Sequence, residues 1–242
     1  MTFKVFKQYS KRMASRIENI IRTAIHTFSK TPIGSITGIN GNRGENIQIL
    51  LQLLSDVTSE DVGLALEKKC LSPQSVTYVE IFENQRISVG IFIVKEGACI
   101  PLHDHSGMVG LLKLLQGNMK LQSYTPLDSN YSSNTLTIEA NKSPTTLLTE
   151  KDGIGVLFPT EHNIHELQAI DGPASFLDIL SPPYNSHDRD CNFWKEIGTA
   201  AGVSTLQRIP CPSSFTCDRM PYSGPSVKHL LEKKKNSCQN IM

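Results

Sequence analysis

From Ser72 and Pro73 onward the chain becomes a series of short runs rich in Val, Ile, Leu and Tyr, separated by Gly, Pro, Asn and Asp. No segment of helical length interrupts them. The runs predict strands near 76–82, 87–95, 100–105, 110–115, 119–124, 135–139, 145–148, 154–158, 164–170 and 174–180. Strands so closely spaced make an antiparallel sandwich or barrel, because parallel βαβ units need a helix between neighbouring strands. The chain is therefore read as mainly β.

Ahead of this region Ile17, Ile20, Ile21, Ala24, Ile25 and Phe28 recur at the spacing of one helix face, which predicts a helix over residues 15–28 docked on the outside of the β-structure. Lys4, Lys7, Lys11, Arg12, Arg16 and Arg22, set against Glu18 alone, also make this stretch a basic amphipathic one, so a mitochondrial presequence is the alternative. A second helix is predicted over 47–55 and a short third over 58–66 with Ser59 as its N-cap. Gly34, Gly38, Gly41 and Gly44 mark a loop, and not a phosphate loop, since no Gly-Lys-Ser/Thr follows. Three segments result: 1–72, helices and Gly-rich loop; 73–200, the barrel; 201–242, an irregular covering, rich in Pro, Ser and Cys at 210–225, and a polar tail.

Composition narrows the function classes. Lys+Arg number 24 against 23 Asp+Glu, so a net charge of +1 supplies no field to hold nucleic acid. The apolar run at 89–94 falls far short of the ~20 residues that span a bilayer. Six cysteines, none in a Cys-x-x-Cys pair, together with no secretory signal, suit reduced thiols in the cytoplasm. A monomer is the expected state.

The chemistry concentrates between Gly97 and Gly117. Alternate side chains of a strand share a face, so His103 and His105 point one way and Asp104 the other, and two imidazoles can grip one ion. Gly97, His103-x-His105 and Gly117 resemble the first motif of the cupins, double-stranded β-helix barrels of the jelly-roll kind. Where that motif usually places a Glu ligand, this chain has Gly110. A second cupin-like segment runs from Gly153 through Pro159 to a histidine, for which His162 and His165 compete. His165 shares its strand face with Leu167 and Ala169, whereas His162 falls in the turn after Pro159, and we select His165.

The runs Ile100-Pro-Leu-His103-Asp-His105, Asn163-Ile-His165, Phe176 to Tyr184 and Arg189-Asp-Cys191 closely resemble the cysteamine (2-aminoethanethiol) dioxygenase family, which includes the plant cysteine oxidases, over roughly residues 15–195. The resemblance implies Fe(II) held by His103, His105 and His165, and addition of both atoms of O2 to the sulfur of cysteamine or of a protein N-terminal Cys. In the latter case it implies an oxygen sensor acting in N-degron turnover. It further implies catalytic roles for Asp178, which orients the substrate amine, for Tyr184, which presents its hydroxyl to thiol or dioxygen, and for Cys191. Where the family often has Tyr this chain has Phe193, so a thioether from Cys191 to a phenol is ruled out there, and small Ser106 and Val109 are expected to widen the pocket mouth. No Arg lies in 103–117 or 163–180, with Arg189 and Arg86 the nearest, so substrates lacking a free carboxylate are expected to be preferred. The alternatives are a metal-binding cupin without catalysis and a cupin isomerase using Zn or Mn.

Overall fold

A computed structural model describes residues 13–30, 45–64, 74–128, 135–185 and 189–231. Lys4, Lys7, Lys11, Arg12 and the Gly34–Gly44 loop fall outside these, as does the end of the polar tail. Helix α1 spans Arg16–Lys30, and Ser15 caps it by accepting the Glu18 N–H at 3.3 Å. Helix α2 spans Glu45–Ser55. Of the third predicted helix the described part is a single 3₁₀ turn, Glu60–Val62, ended by Gly63 at φ +65°. Ser59 makes no side-chain cap there; the Asp61 carboxylate instead accepts the Thr58 N–H at 3.0 Å.

The strands are β1 Val76–Glu83, β2 Ser88–Val94, β3 Cys99–Asp104, β4 Val109–Pro126, β5 Thr137–Lys142, β6 Thr146–Leu148, β7 Gly155–Leu157, β8 Ile164–Ser181, β9 Phe193–Ala200, β10 Val203–Ile209 and β11 Cys217–Met220. β8 pairs with β2, β3 and β4. From β3 the sheet continues through β9, β10 and β5 back to β4, which pairs with β8 and closes a barrel, while β2, β1 and β11 extend from β8 beside it. This is the cupin architecture, with α1 and α2 packed outside it.

Two features differ from the expectation. The runs at 110–115 and 119–124 are one strand, and so are 164–170 and 174–180. The polar breaks between them are not turns but facing bulges in the long β4–β8 ladder, where the register shifts around Gln116. Gly117 sits there at φ +79°, and a Cβ on it would run into Pro173 and Ala174. Secondly, residues 193–200, 203–209 and 217–220 are strands, although 201–242 was expected to be irregular. β10 buries only Ser204 and Leu206, too few apolar side chains to leave a period of two, and it forms through its ladders to β5 and β9.

Both faces of β2 and β8 are covered, which explains their nearly continuous apolar reading. Ile17, Ile20 and Leu50 of the helices pack with Val89, Ile91, Leu177 and Ile179 outside the sheet. The intervening residues Leu112, Leu114 and Phe176 point into the barrel with Ile100 and Leu167. The helix face set out by the α1 periodicity thus belongs to the main core. A smaller cluster around Leu102, Tyr124, Trp194 and Leu206 covers the opposite outer face.

Candidate metal centre

The barrel interior holds a cavity of about 510 Å³, and His103, His105 and His165 meet in its wall. His103 lies directly opposite His165 in the β3–β8 ladder, and His105 follows just beyond the end of β3. The three ring centroids form a nearly equilateral triangle with sides of 4.7, 4.8 and 4.9 Å. One ligand atom from each ring lies within 4.8 Å of the others, and the three are the one such group among the described residues. His162 stands apart at φ +56°, its Nδ1 3.2 Å from the hydroxyls of Ser123 and Ser143.

Burial favours the neutral form of all three rings. Burial lowers the pKa of His103, and burial followed by the repulsion of neighbouring rings holds His105 and His165 well below the usual imidazole range. His103 Nδ1–H donates to the Pro101 carbonyl at 2.8 Å, which leaves Nε2 as its lone-pair atom. The Tyr184 hydroxyl donates to the Asp104 carbonyl at 2.7 Å and so accepts from His105 Nδ1–H at 2.8 Å. That arrangement turns His105 Nε2 inward, where it is buried with no hydrogen-bond partner, as is His165 Nδ1. Buried nitrogens left in this way are costly unless a cation takes their lone pairs. These residues therefore fit a divalent ion held by three neutral imidazoles. Gly110 supplies no carboxylate ligand, and a Cβ there would crowd Leu157 Cδ1 at 2.9 Å and Leu180 Cδ2 at 3.2 Å.

Two residues that the sequence reading did not single out brace this centre from outside. The Asp104 carboxylate, fully buried, accepts from Asn192 N–H at 3.0 Å and from Trp194 Nε1–H at 3.1 Å, tying β3 to β9 behind the histidines. Asn163 grips the His105 backbone from the other side, as taken up below. An acid between two histidines reads as exposed by strand alternation, and only the arrival of β9 makes its burial tolerable.

Asp178 lines the same cavity, in register with Gly90 on β2 and Leu112 on β4. The absent side chain at Gly90 leaves space that the Tyr78 ring covers. Burial pushes the Asp178 carboxyl up to about 7, opposed by a hydrogen bond from the Ile179 backbone. Tyr184 lines the cavity too, and its hydroxyl is hydrogen-bonded to the Asp104 carbonyl and His105 Nδ1. Cys191 adjoins that hydroxyl, and burial raises its thiol to about 12. Phe193 packs 6.5 Å from the His103 ring.

The expected mouth residues are elsewhere: Val109 is fully buried in the main core, and neither it nor Ser106 lines the cavity. Arg189 and Arg86 do not line it either; Arg189 Nε–H donates to the Pro183 carbonyl at 3.2 Å. The arginine that reaches the cavity is Arg219 of β11, which lies 3.5 Å from the Glu80 carboxylate and 5.6 Å above the Tyr78 ring. Phe215 and Cys217 join it from the segment expected to be irregular.

The sequence matches the PCO_ADO family over residues 53–227. It is 35% identical to the 2-aminoethanethiol dioxygenase of Mus musculus, across 89% of this chain and 97% of that protein. It is 32% identical to plant cysteine oxidase 1 of Arabidopsis thaliana, across 63% of this chain and 55% of that protein. Among solved structures, a cupin superfamily protein from Desulfitobacterium hafniense aligns at 16% identity with a TM-score of 0.35, covering 50% of this chain and 90% of that one.

Proposed function

Since this chain belongs to the PCO_ADO family, we propose that it is an Fe(II)-dependent thiol dioxygenase acting on an aminothiol, either cysteamine or the N-terminal Cys of a peptide or protein. The observation that carries this reading is the buried triangle of His103, His105 and His165, with glycine and no carboxylate at position 110. The sulfur gains two S–O bonds and loses four electrons, the four that O2 takes up, and the thiol proton passes to the sulfinic acid and then to solvent. No outside reductant is needed. An Fe(II) ion bound by the triad supplies the redox centre for this chemistry and, with neutral ligands, keeps two positive charges that favour a thiolate.

The protein's own residues do the rest. Pro101 and Tyr184 fix which nitrogen His103 and His105 offer. Asp178, in the apolar part of the cavity, accepts a hydrogen bond from the substrate amine. Ile100, Leu167, Phe176 and Phe193 keep water from the reacting sulfur. A free cysteine carboxylate would have to displace Glu80 from Arg219 or remain unpaired, so cysteamine and Cys-initiated peptides react faster than cysteine in this account. When the substrate is a protein N-terminus, oxidation marks it for N-degron turnover and couples its lifetime to oxygen.

Metal analysis combined with oxygen uptake tests the proposal. Iron near one per chain, and uptake that begins only on adding an aminothiol, support it. Protein that is full of zinc or manganese and consumes no oxygen, or that stays inert after iron loading, contradicts it.

A further inference from the structure

A second cavity, of about 530 Å³, lies on the outer face of the barrel wall that carries the histidines. Glu166 lines it and follows His165 directly, so the strand that turns one side chain inward turns the next into this outer cavity. Leu102, Tyr124, Trp194 and Phe215 give it apolar walls. Its acids are not equivalent. Glu196 accepts from Lys142, Tyr124, Thr199 and Ser204 at 2.6–3.0 Å, whereas Glu166 has no hydrogen-bond or ion-pair partner among the described residues. Lys142 and Lys195 also line the cavity, and no ion pair joins either of them to Glu166. A half-buried carboxylate without a partner, beside aromatic walls, is built to take a cation on an apolar stem.

The two cavities share a lining residue. Pro212, Ser214 and Phe215 rim the outer one, and Phe215, Cys217 and Arg219 rim the inner one, so one continuous segment borders both. Each volume falls within the roughly 300–1,000 Å³ of sites for much larger ligands than cysteamine. A peptide whose first residue sits at the histidines advances about 3.3 Å per residue, so its next two or three residues reach across Phe215.

We propose that the outer cavity is a specificity subsite for the substrate peptide, in which Glu166 pairs with a Lys or Arg side chain two to three residues after the N-terminal Cys. This rests on the peptide-oxidising reading of the inner site. It predicts selection among Cys-initiated proteins by a basic residue close to the terminus.

Anaerobic fluorescence anisotropy tests the subsite independently of turnover. The probes are Cys-initiated peptides, dye-labelled at the far end, with Lys, Ala or Glu placed in turn at positions two, three and four. The protein is iron-loaded, as wild type, Glu166→Gln and Glu166→Lys. Wild type binds the Lys peptide at position three or four at least fivefold more tightly than the Glu peptide, with no such preference at position two; Glu166→Gln removes the difference and Glu166→Lys inverts it. Equal affinities in wild type, or a preference unchanged in both variants, overturn the subsite. Cysteamine turnover, measured separately on the same preparations, reports on the thiol dioxygenase reading: if it is absent in wild type, that reading fails while the peptide preference is still read directly.

Discussion

The side chain of Asn163 closes a two-way hydrogen bond on the backbone of His105: its Oδ1 accepts the His105 N–H at 3.1 Å, and its Nδ2–H donates to the His105 carbonyl at 2.8 Å. The same Nδ2 also donates to the Phe158 carbonyl at 3.1 Å. His105 lies just past the end of β3, and this amide reinforces the backbone bonds that its N–H makes to the Asn163 carbonyl at 3.3 Å and its carbonyl to the Met108 N–H at 2.9 Å.

Asn163→Asp keeps the shape and the acceptor but faces two carbonyl oxygens with a third. We expect the variant to fold and to lose metal affinity by about 10–100-fold. Chelator competition measures this, and an unchanged affinity would show that β3 alone holds His105.

Alanine in place of His103, His105 or His165 should each empty the centre, while His162→Ala, which removes only contacts to Ser123 and Ser143, should keep its metal. Metal content after dialysis gives the answer. Loss in His162→Ala with retention in His165→Ala reverses the assignment.

Asp178→Asn is isosteric and leaves the ring nitrogens untouched. It should retain most of the metal yet slow turnover at least tenfold, about 1.4 kcal/mol in the barrier, because the amide cannot take the charge-assisted hydrogen bond from the substrate amine. Turnover at the wild-type rate would make Asp178 a packing residue.

Stability in acid should report on Glu196. Lys142, Ser204, Thr199 and Tyr124 hold its carboxyl down to about 2. The folded value lies below that of the unfolded chain, about 4.3, so this cluster stabilises the fold above the unfolded value and stops doing so as the pH falls toward 2. Melting temperature should therefore drop more steeply between about pH 4.5 and 2 in the wild type than in Glu196→Gln. Parallel curves would remove Glu196 from the account of acid stability.

Much of this was legible in the sequence because strand alternation and helix periodicity are local. His103 and His105 share a face by simple counting, His165 falls on the face of its own strand that carries Leu167 and Ala169, and the α1 stripe of Ile17, Ile20, Ile21, Ala24 and Phe28 is the face found in the core. What escaped was non-local. Gln116-Gly117-Asn118 reads as a turn in isolation and becomes a bulge only opposite Asp171-Gly172-Pro173. Phe215, Cys217 and Arg219 reach the cavity because β11 lies parallel to β1, a pairing across about half the chain that no local pattern announces. The partners of Tyr184 were hidden for the same reason: nothing near it in sequence shows that its hydroxyl meets Asp104 and His105.

The most direct measurement is mass spectrometry of a Cys-initiated peptide and of cysteamine after incubation with iron-loaded protein under isotopically heavy dioxygen. The account predicts that each thiol gains two heavy oxygen atoms on sulfur, and that His165→Ala abolishes the gain. A single oxygen atom, label from water, disulfide as the sole product, or no change would contradict it.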